Sequence, residues 1–284
     1  MNRREEGQNK LTGKLYVVGT PIGNLSDMSP RGIETLKNVD FIAAEDTRVT
    51  LKLLSRFDIK KPMVSYFEHN KAYHGDMIIS RIENGENCAI VTDAGMPAIS
   101  DPGEDLVKTC HDHGIEVISV PGPSAVTTAL AVSGISSGRF CFEGFLSVNK
   151  KSRFEHLNSL IKEKRTMVFY EAPHKLLFTL KDLFNVFGDR KISIVRELTK
   201  IHEEIMVTVL SDAIKHYSEN NPKGEFVLVI EGCKNQPDEH EYTIDEAVAI
   251  AKDYMTDGMS ASSAAKTAAS ETGFKKSEIY PKLN

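Results

Sequence analysis

Ile90-Val91-Thr92-Asp93-Ala94-Gly95-Met96-Pro97-Ala98-Ile99-Ser100-Asp101-Pro102-Gly103 is the stretch on which the fold turns. The apolar run Cys88 to Val91 reads as a short buried strand. It ends in a loop dense with Gly, Pro, Asp and Ser, residues that set unusual backbone angles. Gly103 then opens an amphipathic run, Glu104 to His113. Strand, special loop and helix is the layout in which open α/β sheets bind ligands at the carboxyl ends of their strands. Asp93 and Asp101 meet free backbone N–H groups there. A plain βα connector needs only about two to six residues, so the longer loop points to a ligand, with a merely turn-rich connection as the alternative.

Upstream, Lys14 to Val18 is a β-branched and aromatic strand that stops at Gly19-Thr20-Pro21-Ile22-Gly23-Asn24. That loop is neither GxGxxG nor a Walker sequence, since no Lys-Ser/Thr follows its second glycine. Its glycines suit a backbone that approaches a ligand closely. Ser29-Pro30 starts a helix, with serine as cap and proline at the first position. Phe41 to Ala44 is a second strand, ending in Glu45-Asp46-Thr47-Arg48, and Leu51, Leu54 and Phe57 continue as a helical stripe. Those polar residues serve either a substrate or the local chain, Asp46 or Thr47 capping and Arg48 pairing nearby. Met63 to Tyr66 is a third strand. His69 and His74 come after it without a Cys or third ligand at suitable spacing, so no metal site is expected. Downstream, Ile115 to Val120 leads through Pro121-Gly122-Pro123-Ser124-Ala125 into a helix that Ser124 is placed to cap. Strands alternating with helices predict a parallel, doubly wound α/β domain over residues 11–133.

Ser133 to Gly138 reads as a linker. Beyond it Arg139 to Leu146 alternates as a half-buried strand, and Asn149 opens a helix. Thr166 to Tyr170 ends in Glu171-Ala172-Pro173-His174-Lys175, and Lys191 to Val195 ends in Arg196-Glu197-Leu198-Thr199-Lys200. Glu204 to Leu210 has the period of an antiparallel strand with one wet face, and Glu225 to Ile230 is more apolar. These make a second α/β domain, 134–232, with a mixed sheet. A linker over 233–242 precedes a small helical domain, 243–284. Its size suits a helix-turn-helix module or a packing appendage. Residues 1–10 form a polar tail.

With 284 residues the chain has room for two domains and an appendage. Hydrophobic residues at 40% and charged residues at 26% are an ordinary globular balance. No apolar run approaches the roughly 18 residues of a membrane span, and the charged N-terminus resembles neither a secretory signal nor a transit peptide. Four scattered cysteines without a CxxC pair suit reduced thiols in a cytoplasmic protein. The formal charge of −5 argues against holding nucleic acid by bulk electrostatics. Basic clusters at Lys150-Lys151-Arg153, Lys162-Lys164-Arg165 and Lys275-Lys276 are modest. Tyr66, Phe67 and Phe145 are candidates to stack an unpaired base or to fill a core.

Gly19 to Asn24, Glu45 to Arg48, Thr92 to Gly103, Pro121 to Ala125, Phe169 to Lys175 and Arg196 to Lys200, in that order, resemble the tetrapyrrole methylase superfamily. Within it the nearest likeness is the branch that methylates the ribose 2′-oxygen of a decoding-region cytidine in 16S rRNA. The resemblance implies S-adenosylmethionine in a cleft between two α/β domains, a homodimer, and the small ribosomal subunit as partner. It implies cofactor contacts from Pro21, Ile22 and Gly23, from Ala94, Gly95, Met96 and Ile99, from Ser124 and Ala125, and from Glu171 and Ala172. Tetrapyrrole-modifying relatives usually carry Gly-Asp-Pro where this chain has Gly95-Met96-Pro97, and tend to have Asp where it has Asn24. Both departures favour the ribosomal RNA branch, with Asp93 or Asp101 replacing the missing acid. A ribose hydroxyl gains from a base; the candidates are Glu45, Asp46 and Asp93, with Arg48, Lys151 and Arg196 orienting phosphate. Asp93 is the first of these to test. The rival readings are a tetrapyrrole C-methyltransferase and a noncatalytic ligand-binding module.

Overall fold

Strands of four apolar residues with no polar face belong in the interior of a sheet covered on both sides, and Phe41–Ala44 and Cys88–Val91 are buried along their whole length. The computed structural model describes residues 12–234 and 242–283; the polar tail 1–10 and most of the 233–242 linker lie outside the described residues. The first half contains β1 (Lys14–Val18), α1 (Pro30–Asn38), β2 (Phe41–Ala44), α2 (Thr47–Arg56), β3 (Met63–Ser65), α3 (Lys71–Glu83), β4 (Cys88–Val91), α4 (Glu104–Asp112), β5 (Glu116–Val120) and α5 (Ala125–Val132). Its strands pair in parallel in the order β3-β2-β4-β1-β5. Alternation along β2 divides the core between two faces. Phe41 and Ala43 meet Ile78, Ile82 and Leu106 from α3 and α4, while Ile42 and Ala44 meet Leu36 and Leu54 from α1 and α2. Helices thus cover both faces, the doubly wound arrangement expected.

The second half contains β6 (Phe140–Phe145), α6 (Lys150–Ser159), β7 (Thr166–Glu171), α7 (Leu176–Phe187), β8 (Lys191–Arg196), β9 (Glu204–Val209), α8 (Leu210–Glu219) and β10 (Phe226–Ile230). The order is β6-β7-β10-β8-β9, with β6 parallel to β7 and the other pairs antiparallel. Along β10, Phe226, Leu228 and Ile230 face the core shared with α6, α7 and α8. Val227 and Val229 face the other way, onto Val126, Ala129 and Leu130 of α5 and onto Ile22. Because α5 packs on the second sheet, the described residues up to Cys233 cluster as one compact unit. We therefore propose 11–133 and 134–232 as two halves of one packing unit. The expected simple alternation of 139–146 is interrupted, since β6 shifts register between Phe142 and Gly144.

The second compact unit begins at Lys234. It holds α9 (Ile244–Thr256), α10 (Ala261–Thr272) and α11 (Lys276–Ile279), followed by a short 3-10 turn. Thr243 and Glu246 form a reciprocal capping box, Ser260 caps α10, and Gly273 ends it in the left-handed conformation. Small side chains, Ala247, Ala251, Ala264, Ala265 and Ala268, close its core with Ile279. Among the described residues no helix is long and apolar enough to cross a membrane.

Candidate active site

The loops after β1, β4 and β5 leave three neighbouring strands at their carboxyl ends and are clipped together there. Thr20 N–H donates to Gly95 O at 2.9 Å and Gly95 N–H returns to Thr20 O at 3.2 Å. The buried Thr20 hydroxyl donates to Thr92 O at 3.1 Å. Gly19 and Gly122 touch backbone to backbone: a Cβ on Gly122 would lie 2.7 Å from Gly19 O. The loop after β4 holds Gly95, Ala98, Ser100 and Gly103 at positive φ. Two of these carry a Cβ, which costs about 1–2 kcal/mol each in the left-handed region, and such strain gathers at functional sites. Glu197 and Thr199, after β8, are also left-handed. Gly23 fits beneath that loop, where a Cβ would meet Lys200 Cγ at 2.6 Å and Thr199 Oγ1 at 2.8 Å.

These loops enclose a cavity of about 510 Å³ between the two sheets, within the range of small-molecule sites. Ile22, Met96, Ile99, Val195, Leu198 and Val227 give it apolar walls, while Ser124, Asp101, Glu171 and His174 bring polar groups. Of the residues expected at a cofactor, Ile22, Ala94, Gly95, Met96, Ile99, Ser124, Ala125, Glu171 and Ala172 line it. Pro21 and Gly23 do not; they shape the first loop from behind. Ser124 stands at the cap position of α5 but makes no side-chain cap bond there, contrary to the expected capping, so its hydroxyl remains available to the cavity. Glu171 is buried and accepts from Ala172 N–H at 2.8 Å and from Thr179 Oγ1 at 2.5 Å. Both its oxygens are thus engaged in holding the end of β7.

Four carboxylates run from the mouth of this cavity toward β2. Asp93 N–H donates to Glu45 Oε2 at 3.3 Å, and Asp46 N–H donates to Asp93 Oδ1 at 3.2 Å. Asp46 also caps α2 through Arg48 N–H at 2.8 Å and takes the Arg48 guanidinium at 2.6 Å. That guanidinium holds the Asp46 carboxyl down to about 2. Partial desolvation pushes Glu45, which is half-buried, and Asp93, which is largely exposed, upward. Asp101 is pushed furthest, to about 7, first by burial and then by the charges of Glu45 and Asp93. It alone of the four lines the cavity. Tyr170 beside it rises to about 12, by burial and by the Asp101 charge.

The remaining expected residues lie elsewhere. Asp93 is exposed outside the cavity. Lys151 is 86% exposed on α6, 3.9 Å from Glu155. Arg196 is spent on Lys223 O at 2.7 Å and Glu204 at 3.0 Å. Tyr170, Val195, Leu198 and Glu225 to Val227 were not expected at the site from sequence. Antiparallel pairing brings the end of β8 and the start of β10 to the same edge, which no local pattern announces. Pro173 and His174 simply extend the motif that supplied Glu171.

The profile of the Tetrapyrrole (Corrin/Porphyrin) Methylases matches residues 14–214. The chain belongs to the tetrapyrrole methylase family. It is 45% identical over 271 residues to a Synechocystis protein named ribosomal RNA small subunit methyltransferase I, covering 94% of this chain and 96% of that one. A Bacillus subtilis protein of the same name is also 45% identical, at 94% and 93% coverage. The Thermotoga maritima protein of that name is 50% identical over 220 residues, 99% of its length but 78% of this chain. Among solved structures, diphthine synthase superposes with a TM-score of 0.60 at 14% identity, over 78% of this chain and 90% of that one. Uroporphyrin III C-methyl transferase from Thermus thermophilus gives 0.56 at 15%, over 77% and 97%. At such identities these two establish the tetrapyrrole methylase fold alone.

Proposed function

We propose that this chain is an S-adenosylmethionine-dependent methyltransferase of small-subunit ribosomal RNA, with the ribose 2′-oxygen of a decoding-region cytidine in 16S rRNA as acceptor. The names of relatives at 45–50% identity support the RNA class of substrate. One observation of the structure carries the chemistry: an apolar cavity between two sheets, lined at its edge by Asp101, a carboxylate whose proton affinity lies near neutrality.

The donor set suits the cofactor. Ile22, Met96 and Val227 offer apolar surface for an adenosine, and the Ser124 hydroxyl with the N-terminus of α5 offers donors for an amino-acid carboxylate. Bound there, S-adenosylmethionine supplies a methyl group made electrophilic by its positive sulfonium. The protein holds acceptor oxygen and methyl carbon in line, and positioning of this kind accounts for ~7–11 kcal/mol of a barrier. Asp101 takes the proton of the attacking hydroxyl, because a base works best with a pKa near the operating pH. Glu45 and Asp93, two of the three acids expected as the base, act behind it by keeping its affinity for a proton high. Arg48 neutralises Asp46 and limits the charge of the cluster.

The expected homodimer rests on the resemblance alone and the expected cytoplasmic location on the unpaired cysteines; sedimentation tests the former. The test of the reading is incubation with labelled cofactor and small ribosomal subunits lacking the modification, followed by mapping of the methylated nucleotide. A labelled 2′-O-methylcytidine in 16S rRNA is expected. Label on a base, or none in RNA while a porphyrinoid acceptor is methylated, refutes it.

A further inference from the structure

Strand β6 reaches the cavity with its register broken between Phe142 and Gly144. Side chains three apart in a regular strand point to opposite faces. A bulge re-aims the side chains beyond it, and here Phe142 and Phe145 both lie against Tyr170, with ring centroids 4.9 and 5.4 Å away. Gly144 adopts φ +64, and a Cβ on it would lie 3.3 Å from Ser100 Oγ, so the bulge abuts the loop after β4. Glu143 is fixed by His156 Nε2 at 2.8 Å. The outcome is a phenylalanine that lines the cavity beside Tyr170 and Asp101 yet stays 58% exposed. Burial does not explain that placement; a flat partner arriving from solvent does.

The chain beyond Phe145 adds charge to the same segment. Arg153 donates to Ser147 O at 3.0 Å and Val148 O at 3.1 Å and pairs with Asp182 at 2.7 Å, which holds the turn. Asn149 caps α6 by accepting from Ser152 N–H at 3.2 Å. Lys150 and Lys151 then stand exposed at the positive end of that helix. An aromatic face followed by two cations at a helix N-terminus is the pairing that binds single-stranded nucleic acid, stacking a base and meeting its phosphates.

We infer that Phe145 is the platform on which an unpaired nucleobase of the acceptor RNA stacks at the cavity mouth, with Lys150 and Lys151 meeting the adjoining phosphates. The inference rests on the cavity being a methyl-transfer site for RNA. Methyl transfer from tritiated S-adenosylmethionine to small subunits lacking the modification tests it, with kcat and KM measured for wild type, F145L, F145Y and K150A/K151A, and cofactor affinity by calorimetry. F145L should lower kcat/KM for subunits by roughly fivefold or more, toward the lower end of the about 5- to 150-fold that truncating a stacking aromatic to alanine gives. F145Y should remain within about threefold, the lysine pair should raise KM and flatten its salt dependence, and cofactor affinity should be unchanged in all three. A kcat/KM within twofold of wild type for F145L overturns the inference while the methyl-transfer reading stands. An equal loss of cofactor affinity also overturns it, placing Phe145 against the donor instead. Absence of transfer by the wild-type protein removes the reading of the cavity and this inference together. Melting temperatures of the variants matching wild type show that the fold is intact.

Discussion

Replacing Asp101 by asparagine should make the protein more stable and less active, and the stability gain should depend on pH. The folded protein holds the Asp101 proton up to about 7, whereas the unfolded chain releases it near the ordinary 3.8. Between those limits the folded state binds more protons, so stability falls as pH rises through this window and stays at its lower level above it. The gap amounts to about 4 kcal/mol at face value. Solvent reaching the half-open site reduces this to about 1–2 kcal/mol. Asparagine keeps the shape and carries no charge, so it should recover that energy at pH 8 and almost none near pH 4. In a domain of this size the gain corresponds to a rise in Tm of about 2–8 °C. Calorimetry of both proteins across pH 4–8 provides the comparison. At the same time, loss of the base should lower kcat by about 10²–10⁴, with cofactor affinity retained. A Tm increment equal at both ends of the range, or a destabilised variant at pH 8, refutes the assignment of Asp101 as a half-buried, charge-crowded acid.

Other perturbations address the scaffold. G122A places a methyl 2.7 Å from Gly19 O; the clash should cost about 1–3 kcal/mol in urea denaturation and weaken cofactor binding at least about tenfold, and an unchanged affinity contradicts the close-approach argument. E171A strands Ala172 N–H and Thr179 Oγ1 without an acceptor and should cost about 2–4 kcal/mol, with E171Q recovering part of it. Truncation after Cys233 should leave a cooperatively melting protein that still binds S-adenosylmethionine, since the cavity lies wholly before that residue; a truncated chain that fails to fold removes the claim that the first unit is self-sufficient.

The parts of the fold that local chemistry dictates were legible in the sequence. Phe41 to Ala44 and Cys88 to Val91 are apolar on both faces and so became central strands. The glycine- and proline-rich loops after β1, β4 and β5, which exist because backbone must turn sharply or pack against backbone, line the cavity at Ile22, Gly95 and Ala125. What stayed hidden depends on residues distant in the chain. Asp93 and Asp101 sit in one loop, of which only Asp101 lines the cavity, and no residue type there announces the left-handed backbone at Ala98 and Ser100 between them. The bulge at Gly144 turns an alternating strand into one that presents Phe142 and Phe145 on the same side. Val195, Leu198 and Val227 reach the site only through the antiparallel pairing of β8 with β10. Arg196 looked free in the sequence because its partners, Lys223 and Glu204, come from other segments.

The most direct test of the central claim is a crystal structure of the full chain with S-adenosylhomocysteine. The product should lie in the 510 Å³ cavity, its sulfur turned toward the Asp101 side and its adenosine against Ile22, Met96 and Val227. Clear density at any other place on the protein, or a cavity that stays empty under saturating product, contradicts the account.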